Sequence, residues 1–310
     1  MKSHFPGFYP LQSSDLDELI QNSVIVLDAD VLFTFFALSE SNLEHFFSFI
    51  EDSKVKRKLW MPYEIAWYYH QFMNDIILQQ REHINSVLAN LKRCKDSIES
   101  TKHYPYVNTG LLQRLKDVST DIEVQCNEQR NRLSERLIHC SIKGRIDTLF
   151  AKKIGSFYQD AELNTIYLDG KSRASSNIPP YCNERESQNS RLKFHDLIVW
   201  KQMQGYAKEK KTNILFVTGR VKQGWYTIVE QKPVSPRQEL VNEFYVKTKQ
   251  RFYCVALSDF VANACRIYNI VMPDLSSLLL QLTAEVENVS FINGSTQSTP
   301  VSVTGTNSIS

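Results

Sequence analysis

The stretch Val24–Phe36, VIVLDADVLFTFF, decides the fold. Four aliphatic residues in a row, three of them β-branched, read as a buried strand that ends at Asp28. The segments VLFTFFAL and LEHFFSFI, on either side of a polar SESN break, then read as helices. LWM (59–61) before Pro62 reads as a second short strand, and EIAWYYHQFMNDII as an amphipathic helix starting just past the proline. Far downstream the alternation resumes. FHDLIVWKQMQGYAKE reads as a helix, NILFVT (213–218) as a strand, RQELVNEFYVKTK as a helix and RFYCVAL (251–257) as a strand. Strands and helices in this order imply an α/β fold, a mostly parallel central sheet flanked by helices.

Between about 75 and 140 the pattern is purely helical. Ile77, Ile84, Leu88, Leu91 and Ile98 recur at spacings of three, four and seven. After the loop KHYPYVNTG a second series begins, Leu111, Leu115, Val118 and Ile122, extended by Leu133 and Leu137. The spacing predicts two long helices packed as an inserted antiparallel hairpin with coiled-coil-like seams. A structural arm is the plainer reading and a partner-binding device the other. A docking role would leave apolar residues exposed along the hairpin, and a fully covered seam would exclude it. Segment 163–192 is rich in turn formers and reads as loop. A last amphipathic helix is expected from Asp274 to about Val286. One domain therefore spans 1–285, with a Ser/Thr-rich tail (286–310) after it that is expected to be disordered.

Net charge is +2, with 36 Lys and Arg against 34 Asp and Glu, too balanced for gross electrostatics to advertise a nucleic-acid partner. The six cysteines form no CxxC pair and no zinc-like cluster with histidine, so free thiols are expected. The start MKSHFPGFYP has no signal-peptide pattern, and no run approaches the roughly 20 apolar residues of a membrane helix. A cytoplasmic, membrane-free location is the expectation.

In parallel α/β sheets ligands bind beyond the carboxyl ends of the strands. Two segments bring notable groups there: Asp28-Ala29-Asp30 after the first strand, and Gly219-Arg220-Val221-Lys222 after NILFVT. Asp196, near the start of the helix before that strand, can face the same edge. Plainer roles are a strand-end or cap acid for Asp28, a first-turn acid favoured by the helix dipole for Asp196, and a surface arginine for Arg220.

VIVLDADVLFTFF resembles the first-strand motif of PIN-like domains, in which an Asp ends the strand and a polar residue comes two positions later. LWMPYEIAWYYH, IPPYCNE, KFHDLIVWKQM, LFVTGRVKQGWY, SPRQELVNEF and RFYCVALSDF succeed it in that family's order. They resemble the larger PIN-like subgroup with a long helical insertion. The resemblance implies a metal-dependent ribonuclease, in which three or four carboxylates hold Mg²⁺ or Mn²⁺ against an RNA phosphodiester. Carried over by position, Asp28 and Asp196 match catalytic, metal-holding acids, the latter within His195-Asp196-Leu-Ile-Val-Trp200 where the family reads GDxxxW. Glu184 falls where the family often has Asp, and Asp30 where it usually has Asn.

The chain also departs from the pattern. The helix acid five positions after the proline falls on Trp67. Glu64, about 300° earlier round the helix, comes within about 60° of that face and is the candidate substitute. Where the family reads VTxD with further acids, this chain has Val217-Thr218-Gly219-Arg220, keeping Lys222 and Trp225. A cation there repels a metal but can grip a phosphate, which makes Arg220 and Lys222 candidate substrate contacts. Two readings stay open: an active divalent-metal endoribonuclease using Asp28, Asp30 and Asp196 with Glu64 or Glu184, or a catalytically inactive module binding RNA or, through the hairpin, a protein partner.

Overall fold

The computed structural model describes residues 1, 6–9, 13–100, 107–180, 188–230 and 232–288. Glu184, Cys182 and nearly all of the predicted tail lie outside the described residues.

Helix α1 (Ser13–Asn22) runs straight into β1 (Ser23–Leu27), with α2 (Ala29–Ala37), α3 (Glu40–Glu51) and the single turn α4 (Ser53–Lys56) after it. The long helices α5 (Tyr63–Glu99) and α6 (Thr109–Ile138) come next, then α7 (Ser141–Leu149), α8 (Asp160–Ser175) and the short α9 (Ser190–Lys193). Helix α10 (His195–Lys210) leads into β2 (Asn213–Thr218), and β3 (Tyr226–Val229) pairs with β4 (Lys232–Pro236) as an antiparallel hairpin. The chain continues through α11 (Gln238–Thr248), β5 (Phe252–Ala256), α12 (Leu257–Tyr268) and α13 (Leu275–Asn288).

The central sheet is parallel in the order β1-β2-β5, with Leu27 opposite Val217 and Val217 opposite Val255. Its strands are buried almost throughout, as a sheet covered on both faces requires. Helix α2 is buried from Ala29 to Phe36, because it lies within the core with no solvent face.

The expected strand at 59–61 is reduced to isolated bridges. Ile25 pairs with Leu59 on the open side of β1, and Met61 with Ile154. Pro62 has no N–H to continue a ladder; it stands instead at the N-terminal boundary of α5. The segment read as loop from 163 is helical to Ser175. Gly170 permits this packing, since a Cβ there would meet the Phe194 ring at 2.5 Å.

Helix α5 enters the insertion without a break. Its 37 residues extend about 55 Å. Its buried residues run from Glu64 to Ile77; beyond them Gln80 still donates to the Phe36 carbonyl at 3.0 Å, and the helix then packs chiefly on α6. The α6 face against α5 keeps the register of Leu133 and Leu137 back through Arg130, Cys126, Glu123, Ser119, Lys116 and Leu112, all buried or half-buried. The α5 side of the seam is the expected one, with Ile84, Leu88, Leu91 and Ile98 all half-buried; the α6 side mixes apolar and polar residues and carries the ion pairs Lys95–Glu123 and Lys116–Glu99, both at 3.5 Å. The predicted seam residues Leu111, Val118 and Ile122 lie roughly a quarter turn away. They stay 47%, 55% and 36% exposed.

Candidate functional site

The carboxyl ends of β1 and β2 meet where the Asp28 N–H donates to the Val217 carbonyl at 2.9 Å. Asp28 is the N-cap of α2, its Oδ1 accepting from the Ala29 N–H at 2.8 Å. Its Oδ2 accepts from the Lys222 ammonium, which also reaches Asp196 Oδ1 at 3.4 Å. Asp196 lies in the first turn of α10, where the helix dipole favours an acid.

A tight turn anchored by Trp225 aims Lys222 inward. The Lys222 carbonyl accepts from the Trp225 and Tyr226 N–H groups at 2.9 and 3.1 Å, closing that turn. Trp225 itself is wholly buried against Trp200, Phe216 and Phe252. Burial works against the Lys222 charge, but Asp196, Asp28 and Asp30 outweigh it and hold the amine above its ordinary range.

Asp30 sits one step further into α2, with Oδ1 accepting from the Gly219 N–H at 2.8 Å. Gly219 allows this approach, because a Cβ there would stand 3.2 Å from Asp30 backbone and side-chain atoms. Asp30 Oδ2 has no hydrogen bond and is faced by Arg220 Nε at 3.6 Å. Burial and the neighbouring Asp28 raise the Asp30 carboxyl to about 6, despite the opposing pull of Lys222, Arg220 and the Gly219 N–H.

Glu64 is buried elsewhere in the acid region and is already engaged. Arg191 grips it through Nε, at 3.1 and 3.0 Å to the two carboxylate oxygens, and through Nη2 at 2.7 Å, while His195 Nδ1 lies 3.5 Å away. Burial alone would raise this carboxyl, but His195 and Arg191 pull it below its ordinary value. The Arg191 guanidinium stacks on Trp67 at 3.9 Å, so the aromatic that replaces the family's helix acid forms one side of the clamp. His195 in turn packs on Tyr68, with ring centroids 4.3 Å apart. Sequence reasoning missed Arg191: it comes after a turn-rich segment with no periodic or motif signal, and only folding brings it to Glu64, 127 residues earlier.

A model of the PIN-like domain family matches residues 24–240, through the acids and the insertion. The chain belongs to the PIN-like domain family. No curated protein and no solved structure matches it. No helix among the described residues is long and apolar enough to cross a membrane. The five described cysteines are free, in keeping with the expectation of unpaired thiols.

PIN domains generally use divalent metals, so the donor set can be set against that requirement. The described residues do not fit such an ion. Among them no three His, Cys, Asp or Glu side chains stand together as ligands. Lys222 bridges Asp28 and Asp196, Arg220 faces Asp30, and Arg191 with His195 engages Glu64. A cation entering here would meet two resident ones at close range. Where the family reads Asn and Asp, this chain has Asp30 and Arg220, which lie against each other with their charges balanced.

Proposed function

We propose that this chain is a PIN-like module that does not cleave RNA and acts instead by binding a protein through its surface. The observation that carries this reading is the largely covered Lys222 ammonium, its side chain 12% exposed, lying between Asp28 and Asp196, where metal-dependent hydrolysis would need those carboxylates free. The same geometry argues against Arg220 and Lys222 as phosphate contacts, since each faces a carboxylate of its own chain. What the fold keeps is a rigid sheet from which the α5–α6 arm projects with apolar residues exposed.

The test is incubation of a labelled single-stranded RNA with the full chain in Mn²⁺, Mg²⁺ or EDTA, beside Asp28→Asn and Asp196→Asn. No metal-dependent cleavage is expected, and Mn²⁺ should leave the melting temperature unchanged. Cleavage abolished by EDTA and by both substitutions would overturn the reading and make the chain a working endoribonuclease with a reduced acid set. Salt-sensitive RNA retention without cleavage would move it to the RNA-binding class.

A further inference from the structure

The distal half of α6 carries two faces. One packs on α5 through Leu112, Lys116, Ser119 and Glu123; Lys116 and Glu123 are paired across the seam, and the Ser119 hydroxyl donates back to the Leu115 carbonyl of its own helix. The other carries Leu111, Leu115, Val118 and Ile122 at spacings of four, three and four, which a helix aligns into one stripe about 16 Å long. Three of these side chains are exposed and Leu115 is half-buried. The more apolar of the two faces is the one turned to solvent. It stands on the arm, where the main packing partner of α6 is α5.

The charges beside the stripe indicate its occupant. Arg114 and Asp121 flank it on the side away from α5. Both are exposed, and neither makes an ion pair or hydrogen bond among the described residues. They are seven residues apart, so they lie on the same edge of the stripe at opposite ends. A second α6 laid antiparallel puts Leu115 against Val118 and Leu111 against Ile122 of the other copy. The same register brings Arg114 of each copy within reach of Asp121 of the other. The pattern is complementary to itself under a two-fold axis, as an isologous interface requires.

We infer that the outer face of α6 docks on the same face of a second copy of this chain, joining two hairpins into an antiparallel four-helix contact. The inference goes beyond the catalytic reading and does not use the acid site, so a cleavage assay and a self-association assay fail separately.

Sedimentation of the full chain across a wide concentration range tests it. A reversible monomer–dimer equilibrium is expected. Val118→Glu with Ile122→Glu should weaken it by about a hundredfold or more, with the circular dichroism spectrum unchanged. Arg114→Asp sets like charges against each other and should weaken it about tenfold, and adding Asp121→Arg should restore it. A chain that stays monomeric at every concentration would overturn the inference. So would a dimer indifferent to the glutamates, or a double charge reversal that fails to restore association.

Discussion

The carboxyl edge of the sheet and the α5–α6 arm are built on opposite plans. At the edge, charged side chains lie inside an apolar shell and are answered within the chain, Lys222 by Asp28 and Asp196, Arg220 by Asp30, and Arg191 by Glu64. In the arm, the seam combines apolar residues with ion pairs, while the apolar stripe of α6 faces solvent. The difference teaches where each region's energy resides. A buried charge is costly to leave unpaired, so the edge is committed to itself and closed to a further cation. An exposed apolar stripe gains only when something covers it, so the arm is open to a partner.

The largest effect that would break this comparison is at Lys222. Lys222→Met keeps the volume but leaves Asp28 and Asp196 facing each other in a buried setting. A loss of about 3–5 kcal/mol at neutral pH is expected in denaturant titrations. Adding Asp28→Asn should recover part of it by removing one of the two stranded charges. A loss near that of a surface substitution would mean the edge is wetter and more open than the geometry shows.

Glu64→Gln removes the acceptor of the Arg191 fork and should cost about 2–3 kcal/mol. Because the Glu64 carboxyl is depressed in the folded chain, its contribution is present above the ordinary carboxylate range and is lost as pH falls below it. The gap between wild type and Glu64→Gln should therefore close on acidification.

Asp30 runs the other way. Its carboxyl is raised from 3.8 to about 6, so between those values the folded chain binds more protons than the unfolded one. Its contribution to stability increases as pH falls through that window. Asp30→Asn should stabilise at pH 7, by at most the roughly 3 kcal/mol that two pH units represent, a shift that already includes the opposing pull of Arg220 and Lys222. The advantage should vanish below the window. Opposite pH trends for these two acids would sharpen the distinction between a clamped carboxylate and a crowded one. Smallest of all, Val118→Glu alone should shift monomer stability by less than about 0.5 kcal/mol, as expected of an exposed site.

Much of the fold was legible in local pattern. VIVL, NILFVT and RFYCVAL are short apolar runs whose hydrophobicity suffices to bury them, and they are the three strands of the sheet. The remaining expected strand, LWM, was legible only as a position, because Pro62 halts the ladder after isolated bridges. Helix α8 was hidden behind turn-forming residues. The β3–β4 hairpin was not read at all, since Lys232–Pro236 contains two prolines and little alternation. In the site, Asp28, Asp30 and Asp196 were legible from their place at strand and helix ends. Their partners were not, because an ion pair such as Lys222–Asp28 joins residues 194 apart that no short-range pattern links.

By itself the sequence determined the family, the parallel sheet and the existence of a helical hairpin, because each rests on hydrophobic periodicity and motif order along a contiguous stretch. Tertiary structure alone decided which side of α6 meets α5. A shift of one residue turns a helix by about 100°, and the register is set by packing near Leu133 and Leu137 rather than by the most apolar stripe. It also decided that the acids at the sheet edge face cations of their own chain. Distances of a few ångströms between remote residues determine whether a carboxylate is free to hold an ion or already engaged, and those distances exist only once the chain has folded.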